Sequence, residues 1–161
     1  NKPNFKKKLI EIRKEMSGIP IPVVCTPLLG GRQYGAISSI LEIGKTRILL
    51  DCGRLYSTDN DLILRAIEEI ISAPLDAILL SHADLAHLGG LPSIFGANGI
   101  RNVPVICTLP VLKMGQMVLY DYFCNISNEG IESDRLPYVL DDVDACFSNV
   151  RTVKYNQTIN I

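Results

Sequence analysis

Residues 77–80, Ala-Ile-Leu-Leu, form an unbroken apolar run that reads as a buried strand. A strand of that kind needs a sheet around it and cover above it, which restricts the chain to layered architectures. The segment before it supplies cover. Leu62, Ile63, Ala66, Ile67, Ile70 and Ile71 recur at helical spacing in one broad apolar stripe, and Pro74 lies just beyond its end. Thr58, with Asp61 three residues on, is the expected cap of that helix.

The rest of the chain fits the same plan. An extended segment at 19–26 carries Pro20 and Pro22, which places it near a sheet edge. Residues 35–43 and 46–51 form a hairpin joined at Gly44-Lys45. After residue 80 comes a short apolar segment at 88–95, ending near Gly96 and Gly99, and then a strand at 103–107. A helix follows from Pro110, with Val111, Met114, Val118 and Tyr122 as its core stripe. Residues 125–137 read as a polar loop. A short helix spans 141–149, with Val143, Cys146, Phe147 and Val150 on one face, and residues 150–155 are extended. The fold class is therefore α/β: antiparallel strands first, then helices alternating with strands over one sheet.

Composition excludes several classes. With 161 residues, 47% hydrophobic and 20% charged, the chain is long enough and apolar enough to bury a core. No stretch approaches the roughly 20 apolar residues of a membrane-spanning helix, and the basic start lacks the apolar core of a secretory leader. Five cysteines (Cys25, Cys52, Cys107, Cys124 and Cys146), an odd number with no CxxC pair, read as mostly buried reduced thiols in an intracellular protein. The net charge of −1 divides into +4 over residues 1–15 and −5 over the remainder. An acidic body argues against a broad phosphate-binding face. The basic leader, residues 1–18, reads as a solvated extension, and residues 19–161 as the folded part. Gly30, Gly31 and Gly35 do not have the spacing of a phosphate-binding loop.

Chemistry concentrates in one place. The buried strand runs into Ser81-His82-Ala83-Asp84-Leu85-Ala86-His87-Leu88-Gly89-Gly90, which holds both histidines of the chain around an aspartate. Loops at strand ends are where a rigid sheet positions functional groups. His82, Asp84 and His87 are all capable metal ligands. On a helix, however, the five-residue step between the histidines turns about 140° and separates them, so convergence requires a loop tipping into a helix. Asp51, at a strand end, is the one obvious additional carboxylate. The bland alternative is a pair of hydrogen-bonded histidines at a strand–helix junction.

These residues also carry a resemblance. Asp76-Ala77-Ile78-Leu79-Leu80-Ser81-His82, followed by His87-Leu88-Gly89-Gly90-Leu91-Pro92, resembles the metal-binding segment of the metallo-β-lactamase fold, and within it the β-CASP nucleases. Active members carry His-x-His-x-Asp-His there. In this chain the four functional positions hold His82, Asp84, Ala86 and His87, so two have changed. The altered loop resembles the catalytically silent β-CASP subunits of the cleavage and polyadenylation specificity factor. Leu49-Leu50-Asp51-Cys52-Gly53, Pro110 through Met117, Tyr120-Asp121 and Leu140 through Phe147 match that group in order, so the resemblance covers the chain from about residue 34 onward.

The resemblance implies an αββα sandwich of which this chain is the N-terminal half. It implies a nuclear, non-catalytic, architectural subunit of the pre-mRNA 3′-end cleavage and polyadenylation machinery. Its partners would be an active nuclease sibling, a scaffold subunit and pre-mRNA, with no membrane. No catalytic residue, metal or cofactor is expected; His82, Asp84, Ala86 and His87 would be degenerate metal-motif positions. The competing expectation is a zinc-dependent RNA endonuclease with an atypical site, because an aspartate can replace a histidine as ligand. Half of a two-layer domain leaves an open sheet edge and uncovered apolar surface, so the isolated piece is expected to self-associate.

Overall fold

The computed structural model describes residues 21–31, 34–55, 59–95, 100, 102–128 and 138–161. The basic extension expected at 1–18, Thr58, Gly96 and Gly99 lie outside the described residues. Six strands form one sheet in chain order: β1 (Val23–Leu29), β2 (Ser38–Ile43), β3 (Thr46–Cys52), β4 (Ala77–Leu79), β5 (Val105–Thr108) and β6 (Val150–Val153). The first two pairings are antiparallel and the last three parallel. Among the described residues five helices accompany them: α1 (Asn60–Ile71), α2 (Leu85–Leu88), α3 (Leu91–Phe95), α4 (Leu109–Asn128) and α5 (Leu140–Phe147).

The hairpin turns where its sequence requires. Gly44 has φ 62 and stands between the paired Ile43 and Thr46, a conformation glycine adopts without a Cβ clash. The apolar run becomes β4, an interior strand of the sheet. Ala77 and Ile78 point to opposite faces, yet neither is exposed, so the strand is covered on both sides. Ile40, Leu49, Ile78, Leu80, Val105 and Cys107 join the helices in the main core, whereas Ile48, Ala77 and Ile106 form a smaller cluster with Val153 and Ile159.

Several expected details shift. The cap of α1 is Asp59, whose carboxylate accepts from the Asp61 main-chain N–H at 2.8 Å. The buried stripe of α1 narrows to Ile63, Ala66 and Ile70, and Leu62 and Ile71 are exposed. The apolar segment at 88–95 is two short helices, α2 and α3. The polar loop expected from residue 125 begins later, because α4 continues to Asn128 with Ile126 buried; residues 129–137 lie outside the described residues. The core stripe of α4 is also rotated. Leu119, Tyr122 and Ile126 are buried, and Met114 faces solvent. Gly115 lies on the buried side, where a Cβ would come within 2.8 Å of Leu88 Cδ2, so this side of α4 packs closely on α2.

All five cysteines are free thiols. Cys52, Cys107 and Cys146 are buried, but Cys25 and Cys124 are exposed. Cys25 lies on β1, the edge strand, where an apolar neighbourhood in sequence does not guarantee cover. Burial, reinforced by the adjacent Asp51 charge, pushes the Cys52 thiol up to about 12. Burial also raises the Cys146 thiol.

Candidate functional site

The site is built where β3 and β4 end side by side. β3 carries a bulge near its end: Leu50 pairs with Ser39 and Cys52 with Ser38, leaving Asp51 as the extra residue. Asp51 has φ 55, in the left-handed region that side chains other than glycine, asparagine and aspartate rarely enter. A bulge with one left-handed residue re-aims a side chain. Here it brings the buried Asp51 carboxylate to the first residue after β4. Its Oδ1 accepts from the Ser81 main-chain N–H at 2.8 Å, and its Oδ2 accepts from the Ser81 hydroxyl at 2.6 Å.

The loop then docks back onto the strand that holds it. The Ile37 N–H donates to the Ala86 carbonyl at 2.7 Å, the Arg54 N–H to the Leu85 carbonyl at 2.8 Å, and the Gly90 N–H to the Cys52 carbonyl at 2.8 Å. This approach is too close for side chains. A Cβ on Gly53 would lie 1.7 Å from the Ala86 carbonyl oxygen, and one on Gly89 would lie 2.4 Å from the Arg54 carbonyl oxygen. The glycines at 53 and 89 are therefore the sequence signal of two backbones in contact.

Within the loop the chemical groups pair locally. The Ser81 Oγ stands 2.8 Å from His82 Nδ1, and the Asp84 Oδ1 stands 2.7 Å from His87 Nδ1. Asp84 occupies the cap position of α2 but makes no side-chain cap bond, because its carboxylate is turned to His87. The two imidazole centroids are 4.4 Å apart and tilted by 35°. The segment is a loop tipping into a helix, the condition under which the two histidines could converge, with His87 on the short helix α2. Each histidine is hydrogen-bonded at the strand–helix junction, His82 to Ser81 and His87 to Asp84. Sequence reasoning missed Ser81, whose only signal was its place between the strand and His82.

A two-ion hydrolytic centre needs three or four donors per ion and a bridging hydroxide. Ala86 presents a methyl group and no donor atom. Both Asp51 oxygens receive hydrogen bonds from Ser81, and the Asp84 carboxylate is committed to a ring nitrogen. Among the described residues no three His, Cys, Asp or Glu side chains are placed to hold a metal ion. The donors among the described residues do not by themselves make up a two-ion centre.

This fold, with its histidine loop after the central strand, defines a class. A model of the metallo-beta-lactamase superfamily domain matches residues 40–161, and the chain belongs to that superfamily. Over 122 residues it is 43% identical to the probable cleavage and polyadenylation specificity factor subunit 2 of Drosophila melanogaster, covering 76% of this chain and 15% of that protein. It is 40% identical over 135 residues to cleavage and polyadenylation specificity factor subunit 2 of Oryza sativa subsp. japonica, covering 84% and 18% respectively. Identity falls to 30% over 135 residues with transcription termination factor FttA of Methanocaldococcus jannaschii, covering 82% and 20%. The chain thus spans about a fifth or less of the length of these relatives. No helix among the described residues is long and apolar enough to cross a membrane.

Proposed function

We propose that this chain belongs to a subunit that acts in pre-mRNA 3′-end processing in the nucleus, and that its role there is architectural and not catalytic. The observation that carries the reading is the 43% identity to a probable cleavage and polyadenylation specificity factor subunit 2 across 76% of the chain. The loop chemistry supports the second half of the proposal. His82, Asp84, Ala86 and His87 are a degenerate metal motif: one position lacks a donor atom, and the carboxylate at another is spent on a neighbouring ring. The proposed partners are an active nuclease sibling, a scaffold subunit and pre-mRNA reached through the assembly. Residues 1–18 are proposed to be a basic extension to the domain that begins at about residue 19.

The test replaces the protein that carries this chain in a processing extract depleted of it. A version with His82→Ala and His87→Ala should restore 3′-end cleavage as well as the unaltered protein, while omission abolishes it. Cleavage that fails with the double substitution, together with near-stoichiometric zinc in the unaltered protein that the substitution removes, would establish the zinc-dependent nuclease reading instead.

A further inference from the structure

Two carboxylates and two imidazoles meet in the loop without forming a ligand cluster, and their hydrogen bonds specify where the protons are. An ionised carboxylate only accepts, and a serine hydroxyl has one proton to give. The Ser81 hydroxyl, 2.6 Å from Asp51 Oδ2, gives its proton there. Its oxygen is then an acceptor toward His82, so the Nδ1 at 2.8 Å must carry a hydrogen. The same rule applied to Asp84 Oδ1, 2.7 Å from His87 Nδ1, puts a hydrogen on that nitrogen too.

We infer that the loop is latched by two independent hydrogen-bond lines, Asp51–Ser81–His82 and Asp84–His87, each holding its imidazole as the Nδ1–H tautomer and leaving Nε2 as the acceptor nitrogen. Asp51 and Ser81 are positioning residues in this scheme: Asp51 reaches His82 only through Ser81. The latch accounts for a feature that otherwise lacks a reason. A left-handed aspartate in a strand costs on the order of 1 kcal/mol, and its return here is a buried carboxylate aimed at both donors of Ser81. The inference concerns the loop's own chemistry and stands apart from the assembly role.

Ring-nitrogen NMR on the ¹⁵N-labelled chain at about pH 8.5, above the ordinary imidazole range, reads the tautomer of each histidine separately. Both rings should be Nδ1–H. Ser81→Ala should return His82 toward the Nε2–H form and leave His87 unchanged; Ser81→Thr, which keeps a hydroxyl, should restore it. Asp84→Ala should move His87 alone. Because Asp51→Ala removes a buried group and risks the fold, the serine pair carries the test of the first line. An Nε2–H tautomer at either ring in the unaltered chain, or a Ser81→Ala change that moves both rings or neither, would overturn the inference.

Discussion

Strand β3 holds a buried charge near each end, and the two are used in opposite ways. Near its start, the Arg47 guanidinium donates to the Ile70, Ala73 and Glu69 carbonyls at 2.8, 2.7 and 2.7 Å, which are the last acceptors of α1 and the turn after it. Helix C-termini leave such carbonyls without intrahelical partners, and a cation there also complements the helix dipole. The Glu42 and Glu69 carboxylates approach it at 4.0 and 3.9 Å. At the other end Asp51 sits on a bulge, out of regular strand geometry, and serves a loop. One charge closes a helix with ordinary backbone; the other spends backbone strain to set side chains. Both tie segments distant in sequence, one a helix end and the other the loop after β4.

That contrast puts the largest loss at Arg47. Arg47→Met keeps a long apolar side chain but leaves the Ile70 and Ala73 carbonyls without the guanidinium donor and the Glu69 carbonyl with only Ser72, at about 1 kcal/mol or more for each charged hydrogen bond lost. A drop of about 3 kcal/mol, or roughly 6–12 °C for a domain of this size, is expected in thermal or urea unfolding. A loss under about 1 kcal/mol would mean that water replaces the guanidinium and that the pairing is ornamental.

Asp51 should matter less and in a more particular way. Asp51→Ala removes two hydrogen bonds from Ser81 and keeps the left-handed backbone, so about 2 kcal/mol is expected. Asp51→Gly loses the same bonds but relieves strain of about 1 kcal/mol, and should be the milder change of the two. Equal losses in urea melts would show that the φ of 55 carries no strain.

The alkaline side of the stability curve probes the same residue through its neighbour. The folded Cys52 thiol keeps its proton to about 12, from the ordinary 9, through burial first and the Asp51 charge second. An unfolded thiol gives up its proton near 9, so the folded state binds more protons between the two values. Stability therefore falls as pH rises from about 9 toward 12. Asp51→Asn removes the smaller cause, and the fall should flatten modestly. A curve unchanged in slope would separate Cys52 from Asp51 electrostatically.

How much of this was readable in the sequence follows the length scale of each signal. The buried strand, the hairpin at Gly44-Lys45 and the order of helices and strands come from local periodicity, and the structure has them in place. The rotation of the α4 stripe was not readable, because Val111, Met114, Val118 and Tyr122 satisfy helical spacing as well as the observed line does. Packing against neighbouring elements, Gly115 on Leu88 among the contacts, decides between the two. Of the site, His82, Asp84 and His87 were visible as a cluster, but their partners depend on a bulge that re-registers β3 against β2. No local pattern announces that Asp51 will reach Ser81, thirty residues on. Arg47 shows the same limit, since its acceptors are more than twenty residues away.

The smallest expected effect is the most informative about the loop. His82 is exposed and its one hydrogen bond runs to a serine that Asp51 already holds from the other side. Removing the ring with His82→Ala should cost about 0.5 kcal/mol, near the lower end for an exposed hydrogen bond, while the Asp51–Ser81 bonds persist. His87 is more covered and bonded at 2.7 Å, so His87→Ala should cost somewhat more, about 1 kcal/mol. An ion-centred loop predicts another ranking, because loss of a ligand would release the binding free energy that a metal contributes to folding. The melting midpoint of the chain, with and without a chelator, distinguishes the two. Under the latch, His82→Ala shifts the midpoint by about 1–2 °C, and chelation moves neither protein. A large midpoint drop on chelation that His82→Ala reproduces would make His82 the loop's anchor, and Asp51 merely its neighbour.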